Sequence, residues 1–108
     1  MSTRKLDQQK SGLTAVNDAL TLSAGDLNGV TEIGVYVEFD HTSAAGTILV
    51  ETASVDDYTG TWATLATISW AAIDKAHYAA LTNALRALRV RVSSTVTSGT
   101  AKVTVVGN

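Results

Sequence analysis

The sequence predicts an all-β domain, a sandwich or barrel, and three observations carry that prediction. Ile33, Val35, Val37 and Phe39 alternate with Glu32, Gly34, Tyr36 and Glu38, which is the period of a strand with one buried face. Leu88, Val90 and Val92 alternate with Arg89, Arg91 and Ser93; after Ser98-Gly99, Ala101, Val103 and Val105 alternate with Lys102, Thr104 and Val106. This reads as a hairpin with its charges on one face. Thr47 to Ala53 and Thr61 to Trp70 form a third pair, joined across the turn cluster Asp56-Asp57-Tyr58-Thr59-Gly60. About six to eight short strands with turn signals every ~8–15 residues suit a sandwich or barrel.

The segment 1–12 is polar, with Arg4, Lys5 and Lys10 as its cations and Met1 and Leu6 as its only large apolar residues. It is expected to be an N-terminal arm, either loose or ordered on a partner or neighbouring subunit, ahead of a single sandwich domain spanning 13–108. An edge strand is the alternative. Ala19 to Ser23 reads as a strand, and Gly25-Asp26-Leu27-Asn28-Gly29 as a turn. Val30 to Asp40 is the clearest strand, followed by a loop from His41 to Gly46. The segment 71–85 is ambiguous. Ile73, His77, Leu81 and Leu85 recur every four residues, the spacing of an amphipathic helix. The rival is a short strand around His77 to Leu81, which the strand-rich surroundings favour; one short helix around 73–85 stays open.

A chain of 108 residues forms one domain, able to bury about 60–65% of its unfolded surface. With no Cys, disulfides, thiolate metal sites and thiol nucleophiles are excluded. A formal net charge of −2 implies no partner by itself. The first ten residues hold no apolar run, so no signal peptide is expected, and no stretch is apolar enough for a membrane span. Folding in the cytoplasm of the producing cell is the expectation.

Little in the chain has catalytic spacing. His41 and His77 are the only histidines and neither sits in a metal-binding or triad motif. Asp56-Asp57 offers too few ligands for calcium and matches turn chemistry. No enzyme activity, cofactor or metal is expected. Tyr36, on the polar face of its strand, and Tyr58, at a turn tip, are the aromatic residues best placed for exposure, whereas Trp62 is expected to plug one end of the sandwich. Arg86, Arg89 and Arg91 lack the long basic groove that nucleic acid needs; a solvated face, or salt bridges across a subunit interface, fits them better. The candidate partner-binding residues are therefore Arg4, Lys5, Lys10, Tyr36, Tyr58, Arg89 and Arg91.

Several stretches together resemble small virion proteins of tailed bacteriophages. They are Ala19-Leu20-Thr21-Leu22-Ser23-Ala24-Gly25, the strand Val50-Glu51-Thr52-Ala53-Ser54-Val55-Asp56-Asp57 with Trp62 and Leu65 after it, Leu88-Arg89-Val90-Arg91-Val92, and Ser98-Gly99-Thr100-Ala101-Lys102-Val103-Thr104-Val105. Asp57 stands where that pattern usually has Gly. The resemblance implies a jelly-roll-like antiparallel β-sandwich that serves as a head decoration (cement) protein, a head fibre, or a tail or baseplate part. The expectation drawn from it is a decoration protein on the capsid surface of the virion. Its partner would be the shell of major capsid protein, and it would be a dimer or trimer with no nucleic-acid or membrane partner. The alternative is a carbohydrate- or receptor-binding module of a tail, baseplate or fibre, with the tyrosines and tryptophans as its platform.

Overall fold

The computed structural model describes residues 5–39, 45–53, 62–69, 76–82 and 87–108. Its elements are β1 (Leu6–Leu13), β2 (Ala19–Leu22), α1 (Ala24–Leu27), β3 (Glu32–Phe39), β4 (Ala45–Ala53), β5 (Ala63–Ser69), β6 (Ala76–Thr82), β7 (Ala87–Thr97) and β8 (Ala101–Gly107). They build two four-stranded sheets, ordered β1-β8-β3-β6 and β2-β7-β4-β5, and every pairing is antiparallel. This is the eight-strand jelly roll. Of the connections between consecutive strands, only β4 to β5 stays within one sheet; the others cross the sandwich. The smallest extent, 18 Å, accommodates two sheets stacked about 10 Å apart.

Alternation puts the core between the sheets. Val35, Val37, Val103 and Val105 come from the first sheet, and Ile48, Val50, Leu88, Val90 and Val92 from the second; all are fully buried. Short β-branched side chains dominate because each strand presents every second residue to a narrow, two-sided interior.

Two expectations need correction. First, residues 6–13 are not an arm ahead of the domain: they are strand β1 at the edge of the first sheet. β1 pairs with β8 from Leu6↔Gly107 to Leu13↔Ala101, with a register shift between Lys10 and Leu13. Its two apolar ends, Leu6 and Leu13, are buried, while Asp7 to Gly12 are exposed. Two anchors and a ladder of backbone bonds are enough to dock a strand whose sequence looks disordered. Second, β7 and β8 are not a hairpin. They lie in different sheets, and the turn with Ser98 at φ 59° carries the chain across. The favoured strand reading of the ambiguous segment holds where it is described: all seven residues of β6 pair with β3, from Glu38↔Ala76 to Glu32↔Thr82, and the helix is not formed there.

The expected turn after β2 closes as one helical turn. The Ser23 side chain caps the Asp26 amide, and the Asp26 carboxylate accepts from the Ser23 amide at 2.9 Å, a capping box. It seats Leu27 in the core. Gly107 marks a close approach at the far end of the chain. A Cβ there would lie 2.5 Å from Val30 Cγ1 and 3.1 Å from the Glu32 carbonyl oxygen, so only glycine fits unless Val30 moves.

Candidate functional site

The most organised group of polar side chains lies on the outer face of the second sheet. The register sets Glu51 of β4 opposite Arg89 of β7, and Leu49 opposite Arg91. One carboxylate therefore falls between two guanidiniums that are two residues apart on a single strand. Glu51 Oε1 accepts from Arg89 Nε and from Arg91 Nε, each at 2.9 Å, and Oε2 accepts from Arg91 Nη2 at 3.3 Å. Arg89 Nη2 also lies 2.9 Å from Oε1.

The cluster is closed on both sides. The Arg89 guanidinium sits 4.5 Å from the centroid of the Trp62 ring, a cation–π contact. Arg91 Nη1 donates to Asn17 Oδ1 at 3.1 Å. Asn17 occupies a left-handed turn position, φ 76°, which Asn tolerates. That turn is tied down by the Asp18 carboxylate, which accepts from the amides of Thr14 and Ala15 at 3.0 Å each. Those two backbone bonds hold the Asp18 pKa below its ordinary value.

Glu51 is only 3% exposed, the one buried charged residue among the described residues. Burial alone would raise its pKa. The hydrogen bond from Arg91 and the charges of both arginines outweigh that, and the carboxyl titrates below its ordinary value. Arg91 is correspondingly raised, first by its bond to Glu51. A buried carboxylate held ionised by two guanidiniums of the neighbouring strand is a strut between strands. The salt bridges expected of Arg89 and Arg91 across a subunit interface are thus made within the chain.

The other candidates do not converge. The Lys5 ammonium donates to the Gly29 carbonyl and the Lys10 ammonium to the Ala19 carbonyl, each at 3.0 Å. Both tie the β1 region to neighbouring backbone. Tyr36, 43% exposed, is on the outer face of the opposite sheet. Arg4, Tyr58, His41, Asp56, Asp57, Trp70 and Arg86 lie outside the described residues. Among the described residues, no group of three or more His, Asp or Glu is arranged to hold a metal ion, and no helix is long and apolar enough to cross a membrane.

Glu51, Trp62 and Asn17 are the residues that sequence reasoning left out of the site. The available signal was a lone Glu in an otherwise neutral strand, with two same-face arginines on a later one.

The chain superposes on the crystal structure of the PBSX exported protein XepA with a TM-score of 0.59 and 16% identity, over 94% of its own length and 37% of that protein's. It therefore spans little more than a third of XepA. It also matches the Yersinia pseudotuberculosis-derived mitogen, at TM-score 0.51 and 10% identity, over 92% of this chain and 83% of the mitogen. At such identities the likeness is one of fold. No family model matches the chain, and no curated protein matches it by sequence.

Proposed function

We propose that this chain is a structural module of a phage particle, and specifically a decoration protein that binds the assembled head shell and stabilises it. The observation that carries this reading is the fold match to XepA, an exported protein of the prophage PBSX, across 94% of this chain. The phage-like strand motifs read from the sequence point the same way. The polar cluster supports it as well: Glu51, Arg89 and Arg91 brace two strands against each other. A ligand that binds the assembled shell and not its separated subunits favours assembly by mass action, by about 2.7 kcal/mol per site at a hundredfold excess over Kd.

Particles purified from the phage that encodes the chain test this. Quantitative mass spectrometry should find the chain in fixed stoichiometry with the major capsid protein, in the tail-less head fraction. Its recovery with tails only, or its absence from particles, would overturn the assignment. Retention on glycan arrays together with a tail location would favour a receptor-binding module instead.

A further inference from the structure

The charges on the strands of the second sheet do not cancel. β2, β4, β5 and β7 hold Glu51, Arg89 and Arg91 and no other Asp, Glu, Lys or Arg. One positive charge is therefore in excess on those strands, in a chain whose formal net charge is −2. The hydrogen bonds locate the excess. All three guanidinium nitrogens of Arg91 are engaged, Nε and Nη2 with Glu51 and Nη1 with Asn17. Arg89 meets Glu51 only through its Nε and Nη2 side. Among the described residues nothing accepts from Arg89 Nη1, so the end of the fork, Nη1 with the second Nη2 hydrogen, is uncommitted. The Arg89 side chain is 24% exposed, and its guanidinium is held over the Trp62 ring.

We propose that the free end of Arg89 is the binding point for a carboxylate, presented by an acidic side chain of a protein partner. The end of a guanidinium takes a carboxylate in two parallel hydrogen bonds. Ordering a long arginine side chain normally opposes binding. Here Glu51 and Trp62 have already fixed it, and a partner meets a preset donor. The charge selects the ligand: one excess positive charge matches one carboxylate. A phosphate dianion would leave a negative charge uncompensated near Glu51, and a nucleic-acid strand needs a track of cations that these strands lack. The surroundings select a peptide. Leu65 is bulged out of β5 between the pairs Val50 with Ala66 and Glu51 with Thr64, and is 41% exposed. It stands two strand spacings, about 10 Å, from β7. Leu49, opposite Arg91, is half-buried. Arginine and indole beside exposed apolar carbon is the composition of an interface core, and a sugar acid would bring mostly hydroxyls to it. The occupant is a segment with Glu or Asp next to a Leu-like side chain. The proposal rests on the decoration reading only for naming the shell as the owner of that segment.

Titration of the full chain, followed through the side-chain NMR signals of Arg89 and the indole N–H of Trp62, tests it. Acetyl-Leu-Glu-Leu-amide should shift both signals saturably and bind about tenfold tighter than acetyl-Leu-Gln-Leu-amide, the selectivity of a charge-assisted pair. Arg89→Lys keeps a cation for Glu51 and loses the fork; it should lose most of that selectivity while circular dichroism shows the fold intact. Leu65→Ser, at an exposed position, should weaken both peptides and leave their ratio unchanged, a second readout should Arg89→Lys not fold. Phage particles play no part in these titrations, so the site can fail in a true decoration protein and can pass in a chain absent from heads. No saturable shift up to about 10 mM, where a site with a Kd of about 1 mM is nearly filled, would overturn the proposal. So would equal binding of the two peptides, unchanged affinity in Leu65→Ser, or tighter binding of inorganic phosphate or glucuronate.

Discussion

The two faces of the β4–β7 pair are held by opposite means: the inner face is dry, while the outer face buries one carboxylate under partly exposed guanidiniums. Toward the core, Ile48 and Val50 meet Val90 and Val92 with carbon alone. One residue out of phase, Glu51 meets Arg89 and Arg91 with charge, under an indole. The inner face is non-directional: it forbids a slip of one residue, which would turn its side chains outward, but not one of two residues, which keeps each on its own face. The outer face is directional, because a slip along the strand would separate the carboxylate from its guanidiniums. The interior therefore supplies most of the stability. The outer cluster fixes which residue of β4 stands beside which residue of β7.

That contrast can be broken most severely from inside. Val90→Asp buries an unpaired carboxylate at a fully buried position; the cost of several kcal/mol compares with a total of about 5–15 kcal/mol. Loss of the cooperative thermal transition is expected, and an unchanged melting temperature would mean that Val90 faces solvent. The next largest effect is on the outer face. Glu51→Ala leaves two partly exposed guanidiniums without their carboxylate and should cost about 1.5–3 kcal/mol in chemical denaturation, the range for hydrogen bonds to charged groups. Replacing Glu51, Arg89 and Arg91 together with apolar residues of similar volume should recover most of that loss. If the triple variant is as unstable as Glu51→Ala, the cluster does more than fix register.

Acid separates the two faces without mutation. The Glu51 carboxyl titrates below its unfolded value, so its contribution is complete above about pH 4.3, the unfolded value. It is lost as pH falls through the folded value. The stability gap between native protein and Glu51→Gln should thus be constant near neutrality and shrink below about pH 4. A gap that stays constant down to about pH 2 would show that the fold does not hold the Glu51 pKa below its unfolded value. The smallest expected effect is at the lid: Trp62→Ala removes a cation–π contact worth about 0.5–2 kcal/mol and should lower the denaturation midpoint by a corresponding fraction. No change would make the indole a bystander.

What could be read from the chain alone followed burial. β3, β4, β7 and β8 are central or nearly so, and their alternation is strict because one face of each is dry. β1 was illegible because an edge strand that overhangs the core can be polar along most of its length; Lys10 needs no apolar contact when its ammonium reaches the Ala19 carbonyl. The β7–β8 connection looked like a hairpin because a tight turn between two alternating strands has the same local chemistry whether it stays in one sheet or crosses to the other. The strand at 76–82 carried a helical spacing, and pairing with β3 overrode it. The Glu51 cluster depends on the relative register of β4 and β7, almost forty residues apart, and local sequence does not contain that information.

The central claim is that a braced sandwich of this kind stabilises a shell it decorates. Its most direct test is the thermal opening of phage heads, followed by genome release to a DNA-binding dye, with heads made without the chain and then given purified protein. The account predicts that heads lacking it open at a lower temperature and that added chain restores the native temperature, saturating at a fixed number of copies per shell. An opening temperature indifferent to the chain, at concentrations where binding to the shell is saturated, would contradict it.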